Sequence, residues 1–276
     1  MEHRTSVDMD RRTYVKVVGA SSVAGLTGTA GCVGSISGSG DESTTTEKGG
    51  KLTAGTAPGF PPFEMKKGGE LVGFDIDLLE AVVSESEYTL SGWEEFEFKG
   101  LMPALASEKI DVIAGAMTIN DERDKKIDFS NPYYSADQSI LVRKGGDFSP
   151  SKLGDFSGHP VGAQKGTTGE GIIKDELISK GKLKESNYNS YGSYVLAVED
   201  LVNGNIDAIV IDKPVAKTFQ SERDVSIAFT YETGEQYGFG VRQGDSEVQK
   251  ALNSGLKAVR DSGKYAEIRN KWFSDS

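Results

Sequence analysis

FKGLMPALASEKIDVIAGAMTINDERDKKIDFSNPYY, running from Phe98 to Tyr134, carries the reading on which the fold turns. Leu101 to Lys109 reads as a helix. Ile110-Asp111-Val112-Ile113-Ala114-Gly115 follows as a short apolar run of the length of a buried strand. Another helix starts near Asn120. Toward the N-terminus, Phe74 to Ser84 places Ile76, Leu78, Leu79, Val82 and Val83 at helical spacing. Before it, Pro58-Gly59-Phe60-Pro61-Pro62-Phe63 is a rigid turn that cannot continue the strand Lys51 to Thr56. Toward the C-terminus the series repeats in outline. Pro160 to Ala163 is a strand, Gly169 to Ser179 and Tyr194 to Asn203 are helices, and Ile206 to Ile211 is again a strand. Lys109-Ile110-Asp111-Val112-Ile113 and Asn205-Ile206-Asp207-Ala208-Ile209 share one helix-to-strand joint. The alternation predicts an α/β fold of two similar lobes with largely parallel sheets.

Ser135 to Gln138 and Tyr237 to Asp245 read as the connections between the lobes. The first lobe then takes 51–134 and 246–276, and the second takes 139–236. Ser246 to Phe273 reads as amphipathic helix (Val248, Leu252, Leu256, Val259, then Tyr265, Ile268, Trp272) returning to the first lobe. A chain that crosses twice makes a two-strand hinge, and the cleft between the lobes is the natural ligand site.

The 276 residues suffice for two modest cores. Lys plus Arg is 31 against 42 Asp plus Glu, a formal net charge of -11, and such a surface repels nucleic acid. No run approaches 18 apolar residues, so the body has no spanning helix in prospect. Cys32 is the one cysteine, so no intramolecular disulfide can form, and with only His3 and His159 a structural zinc site is close to excluded. His159 precedes a proline beside a strand start and reads as a loop residue. No phosphate-binding glycine loop and no paired histidines on a helix are present, and no cofactor is expected.

The N-terminus has a different texture. Asp10-Arg11-Arg12-Thr13-Tyr14-Val15-Lys16, with the weakly apolar run Val17 to Ala30, resembles a twin-arginine export signal. Gly19, Gly25, Gly28 and Gly31 argue against a stable core helix there. Thr29-Ala30-Gly31-Cys32 resembles a lipobox, although Thr29 departs from the usual Leu. The resemblance makes 1–31 a signal peptide and Cys32 a lipidated new N-terminus, tethered to the outer face of the cytoplasmic membrane. Residues 32–50, rich in Gly, Ser, Thr and acids, form a flexible linker.

The quoted stretch, with Pro61-Pro62-Phe63-Glu64, Gly73-Phe74-Asp75-Ile76-Asp77, Gly162 to Thr168 and Asp207 to Asp212, resembles the extracellular solute-binding proteins of family 3. The similarity runs from Lys51 to Phe273. It implies a two-lobed periplasmic-binding-protein-like (type II) fold, a monomer that captures an amino acid and delivers it to an ABC transporter permease. It also implies the site. Arg123 grips the ligand carboxylate with two parallel hydrogen bonds. The Thr118 hydroxyl and N–H add donors, and Thr168, at the start of a helix, offers its N–H and the helix dipole. Asp212, ending its strand, pairs with the ammonium. Phe60 and Phe98 stack on the apolar stem, and the backbone at Gly115 and Ala116 meets the ligand. Gln164 points an amide toward the ligand side chain. Ala57 stands where binders of basic amino acids often carry an acid, which predicts a small neutral polar ligand such as glutamine.

Taken singly, these residues read more plainly. Arg123 would be a solvated helix face, Thr118 a helix N-cap, Asp212 a turn residue, and Phe60 and Phe98 core. Their joint match assigns them to the site. Two alternatives stand beside the transport reading: a sensing module for a separate membrane receptor, and a dehydratase-type enzyme with Glu64 as the cleft acid.

Overall fold

The computed structural model describes residues 49–273. The twin-arginine segment, the lipobox with Cys32 and nearly all of the linker lie outside the described residues. Two five-stranded sheets form the body. In the first, the order is Thr89–Glu95, Lys51–Thr56, Val112–Ile113, Gly240–Arg242, Ile127–Phe129. In the second it is Tyr188–Tyr191, Val161–Gln164, Ala208–Asp212, Tyr134–Arg143, Val225–Tyr237. The sheets are not wholly parallel. Gly240–Arg242 runs against both neighbours in the first, as Tyr134–Arg143 does in the second. Each lobe therefore has one reversed strand at the equivalent position, second from an edge. It is the strand by which the chain enters a sheet after crossing from the other lobe.

The crossing itself corrects one boundary. Tyr134–Arg143 and Val225–Tyr237 pair with each other antiparallel along their length, from Arg143 opposite Val225 to Tyr134 opposite Tyr237. The expected second connection, Tyr237 to Asp245, already contains Gly240–Arg242, which pairs with Val112–Ile113 inside the first sheet. The chain thus crosses back before Tyr237. The sequence hid this because the crossing lies within a continuous strand.

Helices Phe74–Ser84 and Tyr194–Asn203 span the residues their spacing predicts. The helix expected over Leu101–Lys109 stops at Ala106, and the chain turns at Glu108, whose φ of 58° is left-handed. The strand expected over Ile110–Gly115 counts only Val112–Ile113, although Asp111 and Ala114 N–H groups continue its bonding to Thr53 and Gly55. The helix after Val161–Gln164 starts at Thr168 and widens from α to π over Ile173–Ile178. Ser246–Phe273 is two helices, Ser246–Asp261 and Lys264–Phe273, broken at Gly263 with φ 82°.

Burial follows the periodicity. Val248, Leu252, Leu256 and Val259 face inward along Ser246–Asp261, and each such side chain contributes about 1.5–3 kcal/mol when fully buried. A Cβ on Gly255 would sit 2.2 Å from the Val82 carbonyl, so that helix and Phe74–Ser84 touch backbone to backbone. Gly73 is equally constrained, because a Cβ there would meet the Phe63 carbonyl at 1.9 Å. The Gly73-Phe74-Asp75 motif thereby brings Asp75 beneath the turn that carries Glu64. Among the described residues no helix is long and apolar enough to cross a membrane.

Candidate functional site

Arg123 owes its place to a four-residue helix, Asp121–Asp124, capped by the Asn120 side chain, which accepts from the Arg123 N–H at 2.9 Å. The cap turns the guanidinium back under the preceding strand end. It is 8% exposed and donates through one terminal nitrogen to the Thr118 carbonyl at 2.7 Å. Its other terminal nitrogen donates to the Gly166 carbonyl of the second lobe at 3.0 Å. Phe98 lies beneath it, ring centroid 5.3 Å from Cζ. Burial lowers the Arg123 pKa, and Glu235 and Asp212 act against that shift.

Across the cleft, Thr168 opens its helix and Thr167 caps it, accepting from the Glu170 N–H. The Thr168 and Thr118 hydroxyls meet at 3.0 Å. Asp212 sits at the N-cap of Lys213–Glu222, but its side chain makes no capping bond. The carboxylate accepts instead from the Tyr237 hydroxyl at 2.5 Å. Burial, followed by Glu235, pushes its pKa up to about 7. Gln164 donates its amide N–H to the Gly192 carbonyl at 3.1 Å. Phe60, on the first lobe's rigid turn, packs against Tyr194 of the second at 5.6 Å.

All nine residues that the sequence nominates line one inter-lobe cavity: Phe60, Phe98, Gly115, Ala116, Thr118, Arg123, Gln164, Thr168 and Asp212. Ala57, Glu64 and Thr167 complete the wall. The enclosed space is about 10 Å³, roughly what one water needs, so an amino acid can enter only if the lobes part.

Two features depart from expectation. The Thr118 hydroxyl is not a free donor, because its proton goes to the Glu235 carboxylate at 2.6 Å. The wall is also not free of acids, as Ala57 alone suggests. Glu64 is 1% exposed and neither carboxylate oxygen has a hydrogen-bond partner in the protein. Burial holds its pKa well above the usual carboxylate range, and Asp75 and Asp212 add to the shift. Gly115 leaves room beside it, since a Cβ there would stand 3.7 Å from Glu64 Oε1.

Behind the wall, Asp75 accepts from the Ala116 N–H at 2.7 Å and the Tyr133 hydroxyl at 2.5 Å. The first bond holds Ala116 at a left-handed φ of 45°, a strained setting for a residue with a side chain. Burial raises Asp75 to about 7 despite those two bonds. The sequence quotes Asp75 within a motif but gives it no role, and it does not single out Glu235. Among the described residues no group of three or more His, Cys, Asp or Glu is set to hold a metal ion.

The model of the bacterial extracellular solute-binding proteins, family 3, matches residues 52–275. The chain belongs to that family. An L-arginine-binding protein of Pseudomonas aeruginosa is 34% identical over 230 residues, covering 80% of this chain and 86% of the relative. A probable histidine-binding protein of Campylobacter jejuni is 35% identical over 224 residues, covering 80% and 84%. An ancestral arginine-binding protein, solved with arginine and also with glutamine, is 38% identical at a TM-score of 0.75. The arginine complex covers 81% of this chain and 98% of its own. The two α/β lobes are the two-lobed type II fold, and the solute-binding protein places its nine nominated residues where those lobes meet.

Proposed function

We propose that this solute-binding protein captures a basic amino acid, arginine before the others, and presents the closed complex to an ABC-type permease. The Glu64 carboxylate carries the reading, because it faces the cavity buried and with both oxygens unpaired. Such a group costs free energy until a cation meets it. A guanidinium supplies planar paired donors that fit a carboxylate's two oxygens. The local charge agrees, since Glu235 and Asp212 act on the Arg123 guanidinium and Asp75 and Asp212 lie near Glu64. In this arrangement Arg123 holds the α-carboxylate, Asp212 and the Thr118 oxygen hold the α-ammonium, and Glu64 takes the side-chain cation. Phe60 and Phe98 flank the stem. The names of the arginine- and histidine-binding relatives support the same class.

This replaces the neutral ligand suggested by Ala57, since Glu64 offers the acid that position 57 lacks. Glutamine remains the second reading because the ancestral relative has been solved with it. Ligand meets one lobe first, and contacts from both then favour the closed form. We assign the protein to the outer face of the cytoplasmic membrane, held by lipid on Cys32, on the strength of the Arg11-Arg12 and Thr29–Cys32 residues.

A thermal-shift screen against the twenty amino acids tests the proposal, because a ligand that binds only the folded state raises Tm by mass action. Arginine is expected to give the largest shift. A shift with glutamine alone favours the second reading, and no shift with any amino acid in a folded sample removes the class. Glu64 is also the acid that the dehydratase reading names, and arginine recovered chemically unchanged after incubation excludes turnover of that ligand.

Asp212→Asn is expected to weaken arginine by about 2–5 kcal/mol while sparing 5-guanidinopentanoate, which lacks the ammonium. Equal weakening of both, measured by calorimetry, would contradict the role given to Asp212.

A further inference from the structure

Glu235 lies outside the cavity wall, on the strand that carries the chain back between the lobes. It is 5% exposed and all its recorded hydrogen bonds are accepted ones. One carboxylate oxygen accepts from the Thr118 hydroxyl at 2.6 Å. The other accepts from Gln138 Nε2 at 2.7 Å and from the Thr233 hydroxyl at 2.9 Å. A bulge sets it there. The pairing with Tyr134–Arg143 slips between Tyr231 and Glu235, and Asp137 accepts from the Thr233 and Gly234 N–H groups at 3.0 Å each. Gly234 takes a left-handed φ of 61°, so the turn between the slip and Glu235 is held at both ends.

The consequence lies in proton bookkeeping. A threonine hydroxyl has one proton to give and two lone pairs to offer, and an ionised carboxylate only accepts. With Glu235 taking the Thr118 proton, the 3.0 Å contact between the two threonines must run from Thr168 to Thr118. Thr118 Oγ1 then shows the cavity a lone pair and no hydrogen. Beside Asp212, that edge of the site accepts hydrogen bonds and has none to give.

From this geometry we infer that Glu235 is a positioning residue that fixes the Thr118 hydroxyl as an acceptor and so makes the site select ligands bearing an α-ammonium. The inference rests on the amino-acid reading of the cavity and deepens it. Removing the Glu235 carboxylate frees the Thr118 proton to turn inward, where it opposes an ammonium and suits a ligand without one.

The test uses the full chain and two probes, L-arginine and 5-guanidinopentanoate, with affinities measured by calorimetry or by competition. Glu235→Leu is expected to lower arginine affinity tenfold or more and leave the deaminated probe unchanged or tighter. The ratio of the two affinities is the diagnostic. In a Thr118→Val background the same substitution is expected to leave that ratio where Thr118→Val alone puts it. An equal loss for both probes, an unchanged ratio, or a ratio that shifts just as far without the Thr118 hydroxyl would overturn the inference. If Glu235→Leu does not fold, Glu235→Gln, with an amide of the same shape, is read by the same ratio. Wild-type protein that binds arginine, with no ratio change in the Glu235 variant, sinks this inference alone. Wild-type protein that binds neither arginine nor any other amino acid sinks the functional reading beneath it.

Discussion

Replacing Arg123 by Ala is expected to weaken binding of every amino acid the protein takes, by about 2–5 kcal/mol, whatever the side chain. The α-carboxylate is common to all such ligands, and the partner proposed for it, Arg123, is only 8% exposed. Truncation strands that carboxylate in a buried site, which accounts for most of the cost. The guanidinium also joins the lobes through the Thr118 and Gly166 carbonyls, so closure loses a strut along with the ligand contact. Arg123→Lys separates the two contributions. It keeps the charge and forfeits the planar fork, so its affinity is expected to fall between wild type and Ala. Calorimetry showing unchanged affinity in Arg123→Ala would remove this residue from the site.

Glu64→Gln is expected to behave in the opposite way in the absence of ligand: the protein becomes more stable and a worse arginine binder. The wild-type carboxyl is fully buried, with its pKa held well above the ordinary range. The folded state thus keeps a proton that the unfolded chain releases near pH 4. Stability is full below that pH and is lost as pH rises through the folded pKa. Glutamine carries no such charge and avoids the loss. At pH 7.5 the variant is expected to be the more stable of the two, because the amide has no charge to desolvate. The difference is read as a higher Tm for the variant. At pH 4.5 the two melting curves should nearly coincide. Arginine affinity should fall by about 2–5 kcal/mol while glutamine affinity does not. A variant no more stable than wild type at pH 7.5, or one that keeps arginine and loses glutamine, would contradict the role given to Glu64.

Much of this was legible because each motif has a local physical cause. Phe74–Ser84 and Tyr194–Asn203 follow from apolar spacing, and Gly73 is glycine because the Phe63 carbonyl occupies the place of its Cβ. The Arg123 helix is marked by Asn120 three residues before the arginine, a short-range signal. What escaped depends on partners distant in the chain. Glu235 is not singled out by any motif and is buried where the chain recrosses, more than a hundred residues after Thr118. Glu64 is visible as a residue, but its lack of partners is a property of the assembled wall. If the ligand is basic as proposed, Ala57 points the wrong way for the same reason, since the acid assigned to its side chain is Glu64 and not position 57. The crossing boundary was misread because strand content does not reveal which sheet a strand joins.

The place of Gly240–Arg242 bears on how the molecule assembles. Every strand of the second sheet lies between Tyr134 and Tyr237, one unbroken piece of chain. The first sheet instead waits for Gly240–Arg242, which fills the gap between Val112–Ile113 and Ile127–Phe129. During synthesis the second lobe can finish while the first still has an open seam, with the apolar edges of Val112 and Ile113 awaiting their neighbour. Closing that seam joins residues more than a hundred positions apart, the kind of long-range pairing that folds slowly. The stretch that carries Gly240–Arg242 therefore completes the first lobe after the second can already stand, and with it one wall of the cavity between them.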